Sequence, residues 1–310
     1  MEKSRYYYAK AIGKLLDAAE RLAQAILYRR PFEGVTLEAD HRYGERKREV
    51  VDFIYPSESS RAKRPILIYI HGGGFISGIK NMRRTHCYEY AKKGYFVANV
   101  DYELAPDYQF PVAVQECLSA IDFVYDNAKK YNLDTSKVLL AGESAGAYFA
   151  AMLSAIAKNN GVAQTLGLKL KHTEFDVTAN IFNCGAFNIK TLAASRFPNM
   201  SIMVESFTNL TKEIILTGEA DDIVKNMSPQ NYIDESFPPS SFILYASHDL
   251  LRNESFAFKN RLDSLNVPNE IYKCKGILYG NHAFALSTVT KTGQIILQAA
   301  QKYVDKYIFD

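Results

Sequence analysis

Apolar positions follow a helical period at the start of the chain and then a strand period. Residues 5–29 carry apolar side chains at steps of three and four and precede Pro31, which predicts an amphipathic helix. Its polar positions mix acidic and basic residues, which favours packing on the protein over binding to a membrane surface. Residues 35–42 and 47–54 alternate around Tyr43-Gly44-Glu45, which predicts an antiparallel hairpin.

From residue 65 onward, short apolar runs alternate with helical patterns. The run at 65–70 is continuously apolar, which is typical of a strand buried on both faces. Further strands are predicted near 95–100, 137–142, 178–183, 242–246 and 270–274, and helices near 83–93, 111–130, 147–158, 254–264 and 290–307. Strands separated by helices of this length indicate an α/β protein with a mostly parallel central sheet flanked by helices.

The alternation is interrupted once, between residues 188 and 238. This stretch has scattered aromatic residues and short helical patterns, and strand-helix alternation resumes after it. We interpret it as an insertion and treat residues 1–310 as a single domain, a size that can bury a large core.

Composition and charge narrow the function classes. With 47% hydrophobic and 23% charged residues and a net charge of +3, the chain is typical of a soluble globular protein and gives no reason to expect a nucleic-acid partner. The four cysteines are scattered without the spacing of a zinc site, which fits a reducing compartment. We find neither the apolar region of a signal peptide nor a run long enough to span a membrane, so we expect a cytoplasmic protein.

The first chemical motif is Gly142-Glu143-Ser144-Ala145-Gly146, which links the strand ending near 142 to the helix at 147–158. A strand that turns this sharply into a helix strains its central residue, and the flanking glycines leave room for the turn. Such a nucleophile elbow presents the Ser144 hydroxyl above the carboxyl edge of the sheet. Ser144 is therefore the candidate nucleophile.

A second motif, His71-Gly72-Gly73-Gly74, follows the strand at 65–70. Glycines after a strand let backbone amides point into a cleft, where they can stabilise an oxyanion. The alternatives are a plain glycine turn or a phosphate-binding loop, and the latter would require a Lys-Ser/Thr pair that is missing. The His71 imidazole is expected to hydrogen-bond the loop backbone and, with Gly72, to support its shape.

A serine nucleophile also needs a base. Among the histidines, we interpret His41, His86 and His172 as surface residues, His71 as loop support and His248 as structural. His282 follows a predicted strand and the loop at 279–281, so it would project from the carboxyl edge towards Ser144. His282 is the candidate base.

The base in turn needs a carboxylate to orient it. Asp249 follows the strand at 242–246 after a short exit, which places it at the same edge, whereas Glu254 and Asp263 fall inside the next helix and are expected to be solvated. The chain order of serine, acid and base is the order typical of α/β-hydrolases.

The motifs that contain these residues are similar to those of a known family. The chain resembles the hormone-sensitive-lipase-like esterases of the α/β-hydrolase superfamily from about residue 64 to the C-terminus. The shared motifs are His71-Gly72-Gly73-Gly74-Phe75, Asp101-Tyr102-Glu103-Leu104-Ala105-Pro106, Gly142-Glu143-Ser144-Ala145-Gly146, Asp249-Leu250-Leu251-Arg252 and His282-Ala283-Phe284. One departure is Glu103, where relatives usually carry arginine, so a familiar ion pair is expected to be missing or reversed.

The resemblance implies an oxyanion hole, a cap and a core. The oxyanion hole would consist of the backbone amides of Gly73, Gly74 and Ala145. Residues 1–34 and 188–238 would form a helical cap over the acyl site, and residues 46–187 and 239–310 the catalytic core of an α/β-hydrolase fold.

We therefore predict a serine carboxylesterase that hydrolyses short-chain acyl esters through an acyl-enzyme intermediate, with neither a metal nor an organic cofactor. Its partner would be a small-molecule ester, and the sequence leaves a homodimer open. The alternatives are a lipase, an amide hydrolase or a deacetylase on the same triad, which fold analogy does not separate. A non-catalytic ligand receptor on this scaffold is disfavoured by the presence of His282.

Overall fold

A computed structural model describes residues 2–27, 33–238, 240–246, 248–274, 282 and 290–309 of the chain. Within these residues a single sheet of eight strands has the order β1-β2-β4-β3-β5-β6-β7-β8. The strands are β1 Val35–Arg42, β2 Val50–Pro56, β3 Arg64–Ile70, β4 Phe96–Val100, β5 Leu133–Glu143, β6 Ala179–Asn183, β7 Ser240–Ala246 and β8 Asn269–Cys274. The predicted α/β class is confirmed.

Twelve α-helices surround the sheet in the described part of the chain. They are α1 Lys3–Leu27, α2 Arg84–Ala91, α3 Val112–Asp126, α4 Ala128–Tyr131, α5 Ala145–Lys158, α6 Asn160–Thr165, α7 Ile189–Ala194, α8 Met200–Thr208, α9 Lys212–Thr217, α10 Asp221–Asn226, α11 Arg252–Ser264 and α12 Lys291–Ile308. Short 3-10 helices cover Lys80–Arg83 and Pro229–Tyr232. None of the described helices is both long and apolar enough to cross a bilayer.

Strand direction reverses twice across the sheet, because β2 runs opposite to the other described strands. β1 pairs with β2, and β2 with β4, in antiparallel register, while every later neighbour pairs in parallel. The predicted hairpin is therefore present as the edge of the sheet. Because parallel strands share one carboxyl edge, the loops that follow β3, β5, β6 and β7 emerge side by side, which is where ligands bind in open α/β sheets.

Apolar side chains of β3 alternate between two buried layers. Ile66, Ile68 and Ile70 belong to the cluster that includes side chains of α3, α5 and α11, while Leu67 and Tyr69 belong to the cluster formed with α2 and α12. All five are fully buried. This double burial explains the unbroken apolar run in the sequence.

One predicted helix is divided in two. The pattern at 111–130 predicts a continuous helix, but α3 ends at Asp126 and α4 begins at Ala128. At the break, Asn127 Nδ2 donates to Phe123 O at 2.8 Å. Asparagine side chains compete for backbone groups in this way, which interrupts the helix.

Candidate active site

The sharpest turn at the carboxyl edge joins β5 to α5. β5 ends at Glu143 and α5 begins at Ala145, so Ser144 makes the turn alone, with φ 52° and ψ −116°. Positive φ is uncommon outside glycine, and such strain is concentrated at functional sites. Ser144 N donates to Asn183 O at 2.9 Å, which ties the turn to the end of β6. Ser144 is partly exposed, whereas the residues on either side of it are buried.

Two glycines allow this turn to pack closely. A Cβ added to Gly142 would lie 2.5 Å from Gly146 C, and a Cβ on Gly146 would clash with Ile70 O at the end of β3. Neither obstacle is a flexible side chain, so both positions require glycine.

The glycine loop after β3 lies beside the elbow. Gly73 and Gly74 adopt φ of 127° and 59°, and a Cβ on Gly73 would clash with Ser77 O. Gly73 O accepts hydrogen bonds from Ser77 N at 3.0 Å and from Ser77 Oγ at 2.7 Å, which closes the loop. Among the described residues, no oxygen accepts a hydrogen bond from Gly73 N or Gly74 N, so both amides are available to a ligand.

His71 anchors the base of this loop. It is buried, its Nδ1 lies 2.8 Å from Gly72 O, and its Nε2 lies 2.9 Å from Asp101 Oδ1. Its ring stacks on Tyr102 at 4.3 Å, and the Tyr102 hydroxyl donates to His71 O at 2.6 Å. The imidazole is thus held from three sides, as a residue that supports the loop would be.

Arg48 completes this cluster and was missed by the sequence analysis. Its Nη2 donates to Asp101 Oδ1 and to Gly78 O, both at 2.5 Å. Burial alone would raise the pKa of Asp101, but the hydrogen bonds and charges of His71 and Arg48 hold it below its usual value. Glu103 Oε1 accepts from Arg48 N at 3.0 Å. Arg48 therefore supplies the positive charge beside Asp101, where Glu103 is acidic. No motif or spacing in the sequence identifies Arg48 as part of this cluster.

Glu143, next to Ser144, joins the elbow to the glycine loop. Its buried carboxylate accepts from Gly72 N and Arg83 Nε, both at 2.6 Å, and from the Tyr69 hydroxyl at 2.7 Å. Arg83 also pairs with Glu20 on α1. A chain of charged contacts thus runs from α1 to the loop. Its place inside the Gly-x-Ser-x-Gly motif could have drawn attention to Glu143, but nothing in the sequence marks Arg83.

The candidate acid and base meet beyond the ends of β7 and β8. Asp249 Oδ2 lies 2.8 Å from His282 Nδ1, and Asp249 Oδ1 accepts from Leu251 N at 2.8 Å. The Asp249 side chain is fully buried and that of His282 is 17% exposed. A buried carboxylate held by a backbone amide fixes the ring and places the proton on Nδ1, which leaves Nε2 able to accept one. The predicted loop at 279–281 lies outside the described residues.

Segments of the predicted cap contact the glycine loop. Phe75 stacks on Phe207 of α8 with 4.1 Å between ring centroids, and a Cβ on Gly74 would clash with Met203 of the same helix. Phe197 lies edge-on to His282 at 5.0 Å. α1 reaches the same region, because Asp17 Oδ1 accepts from Gly78 N at 2.7 Å. Apolar side chains therefore line one side of the glycine loop.

One histidine assignment is wrong. His86 was expected at the surface, but it is 5% exposed and lies between Tyr69 and Tyr90, with ring centroids 5.3 and 5.4 Å away. Burial lowers its pKa to about 4. His41 and His172 are partly exposed and hydrogen-bonded to acidic residues, and His248 is exposed.

The expectation that Glu254 is solvated is also wrong. Glu254 is 6% exposed, and its Oε2 accepts from Phe187 N at 2.9 Å and Asn188 N at 3.0 Å. The Thr191 hydroxyl donates to its other oxygen. Glu254 therefore anchors the turn before α7 and takes no part in the pair at Asp249. Asp263 is exposed, as predicted.

Comparison with known proteins assigns the fold to a class and the chain to a family. Esterase B from Lactobacillus rhamnosis (HN001) has the same fold, with a TM-score of 0.81 at 20% identity, over 98% of this chain and 97% of that chain. Together with the sheet order, this defines the α/β-hydrolase fold. Residues 51–262 match the BD-FAE family model. The chain belongs to the BD-FAE family and is a hormone-sensitive-lipase-like, carboxylesterase-family hydrolase, which confirms the resemblance.

Two relatives extend the comparison at the level of sequence. An α/β hydrolase of Acanthamoeba polyphaga mimivirus is 24% identical over 225 residues, which cover 72% of this chain and 62% of that protein. Esterase LipI of Mycobacterium tuberculosis is 25% identical over 240 residues, which cover 74% of this chain and 69% of that protein. The chain thus spans about two thirds of the length of these relatives.

Proposed function

We propose that the protein is a serine carboxylesterase in which Ser144 is the nucleophile, His282 the general base and Asp249 the residue that orients the base. The observation that carries the proposal is the 2.8 Å contact between His282 Nδ1 and a buried Asp249 carboxylate. It occurs at the sheet edge where Ser144 is held at positive φ. A hydroxyl, an oriented imidazole and uncommitted backbone amides are the parts that acyl transfer requires.

In this mechanism His282 Nε2 takes the proton of Ser144 Oγ as the oxygen attacks the ester carbonyl carbon. The carbonyl oxygen becomes an oxyanion, which the amides of Gly73, Gly74 and Ala145 stabilise. The imidazolium, stabilised by Asp249, then protonates the leaving alcohol, and an acyl-enzyme remains. Water repeats the sequence and releases the acid.

We further propose that residues 1–34 and 188–238 cap the acyl site and limit chain length. The contacts of Met203 and Phe207 with the glycine loop support this, because they place apolar side chains next to the amides proposed to bind the oxyanion. Each methylene contributes about 0.8 kcal/mol only while it is buried against apolar surface. Esterase B from L. rhamnosis is described with a C4-C4 sn-3 tributyrin phosphonate inhibitor, which also favours short acyl groups.

The test is a series of p-nitrophenyl esters with acyl chains of about C2 to C16, run beside emulsified triglyceride. We expect kcat/KM to peak within about C2 to C8 and to fall for longer chains, since methylenes beyond the end of the pocket are not buried against apolar surface. A rise through about C12 to C16, with activation by the emulsion, would make the protein a lipase. Purified Ser144→Ala serves as the control, and turnover equal to that of the wild type would contradict the proposal.

A further inference from the structure

Cys184 lies next to the Asp249–His282 pair and has no role in ester hydrolysis as described above. It follows β6 with φ 48° and is 2% exposed. Its Sγ, a carboxylate oxygen of Asp249 and a ring nitrogen of His282 all lie within 4.8 Å of one another. Three types of metal ligand thus converge from three separate parts of the chain.

The ligand set matches a thiophilic divalent cation. Zinc binds sulfur at about 2.3 Å and nitrogen or oxygen at about 2.1 Å, so tetrahedral ligands lie about 3.3 to 3.8 Å apart. A pair at the 4.8 Å limit would need to approach by about 1 Å, whereas Asp249 Oδ2 and His282 Nδ1, 2.8 Å apart, would need to separate by about 0.5 Å to admit the ion between them. A Cys184 thiolate and the Asp249 carboxylate together neutralise a dication, and the bond from Leu251 N already orients that carboxylate. The partly exposed His282 side chain provides access from solvent.

We propose that Cys184, Asp249 and His282 form an inhibitory binding site for a thiophilic divalent cation such as Zn²⁺. The effect on turnover rests on the proposed esterase function, but binding does not. A cation at Nδ1 leaves the ring proton on Nε2, which then cannot accept the proton of Ser144. A cation at Nε2 occupies that lone pair directly. In both cases the general base is lost, and the thiol proton passes to solvent.

The experiment measures Zn²⁺ twice: as an inhibitor of ester turnover, and as a bound ion in equilibrium dialysis. Dialysis uses Ser144→Ala, which lacks the nucleophile but keeps all three ligands. Cys184→Ala and Cys184→Ser remove the thiolate, and Cys117→Ala removes a buried thiol elsewhere in the core as a matched control. For each variant, rates are normalised to the rate without Zn²⁺, and the inhibition constants obtained from them are compared. A chelator is added at the end to restore activity.

We expect Ser144→Ala to bind one Zn²⁺, and both Cys184 variants to weaken inhibition by about tenfold or more, since even indirect supports of a metal ligand change affinity that much. Cys117→Ala should behave as the wild type. Equal Zn²⁺ sensitivity in the Cys184 variants and the wild type, or no Zn²⁺ bound to Ser144→Ala, would overturn the metal site. Stoichiometric binding without esterase activity in the wild type would instead contradict the proposed function and leave the metal site standing.

Discussion

The buried carboxylate of Glu254 offers a prediction that separates anchoring of a turn from catalysis. Glu254→Leu replaces the carboxylate with an apolar side chain and leaves Phe187 N and Asn188 N without their acceptor. Glu254→Gln keeps a carbonyl oxygen for both amides. Its new amide group faces Thr191 Oγ1, which can turn its own proton to Asn188 O, 3.0 Å away.

The two substitutions should lower the free energy of unfolding by different amounts. An unsatisfied buried N–H costs about 1–3 kcal/mol. Since Phe187 N is buried and Asn188 N is partly buried, Glu254→Leu should lower the free energy of unfolding by about 2–4 kcal/mol, or Tm by about 3–6 °C. Glu254→Gln should cost less than about 1 kcal/mol at neutral pH. Neither substitution removes a group that contacts the reacting atoms.

The stability that Glu254 contributes depends on pH, and the direction of this dependence follows from its pKa. Burial raises the pKa of Glu254, against the opposing hydrogen bonds of Thr191, Phe187 and Asn188. The folded state therefore holds this proton more tightly than the unfolded state. The resulting stability is present below the unfolded pKa and is lost as pH rises through the folded pKa. Glutamine does not titrate, so the variant should gain stability relative to the wild type as pH rises from about 4 to about 7.

Urea unfolding of the wild type and both variants at several pH values measures these differences, with kcat on a short ester measured in parallel. Equal destabilisation by Gln and Leu would refute the hydrogen-bond argument. A relative loss of stability of Glu254→Gln with rising pH would refute the role given to burial. A fall in kcat by several orders of magnitude in folded Glu254→Gln would mean that the wrong carboxylate has been assigned to the base.

Three further predictions concern the site itself. Asp249→Asn should favour the wrong tautomer of His282 and lower kcat about 10⁴-fold in a folded protein, so a loss under about tenfold would contradict its orienting role. Gly146→Ala would force a Cβ against Ile70 O, and calorimetry should record a loss of about 1–3 kcal/mol or more, with turnover lost as the elbow shifts. Arg83→Met leaves the Glu143 carboxylate without its cation and should cost about 3 kcal/mol in denaturant unfolding, whereas unchanged stability would mean the pair is dispensable.

Local features of the chain could be predicted from the sequence because interactions between residues close in sequence determine them. The Ser144 turn needs small neighbours, and Gly142 and Gly146 are visible in the motif. The strand at 65–70 is buried on both faces, which leaves an unbroken apolar run. The break at Asn127 was missed, because a helical period does not register one side chain that competes for a backbone carbonyl.

Long-range pairs could not be predicted in the same way. Glu254 has the position of a solvated acid in the first turn of a helix, but its partners Phe187 and Asn188 are more than sixty residues away. His86 lies in a polar stretch, and its burial depends on Tyr69 in another element. Arg48 reaches Asp101 from the loop before β2. Periodicity reports which face of an element is apolar, and not which distant groups pack against the other face.

The most direct test of the proposed triad is to locate a covalent adduct. The protein is treated with a short-chain p-nitrophenyl alkylphosphonate, which a serine hydrolase attacks as it would an ester, and the labelled peptide is identified by mass spectrometry. The account predicts one phosphonyl group per chain on Ser144, no label in Ser144→Ala, and labelling of His282→Ala slowed by several orders of magnitude. A stoichiometric adduct on another residue, or ester turnover in a protein whose Ser144 stays unlabelled, would contradict it.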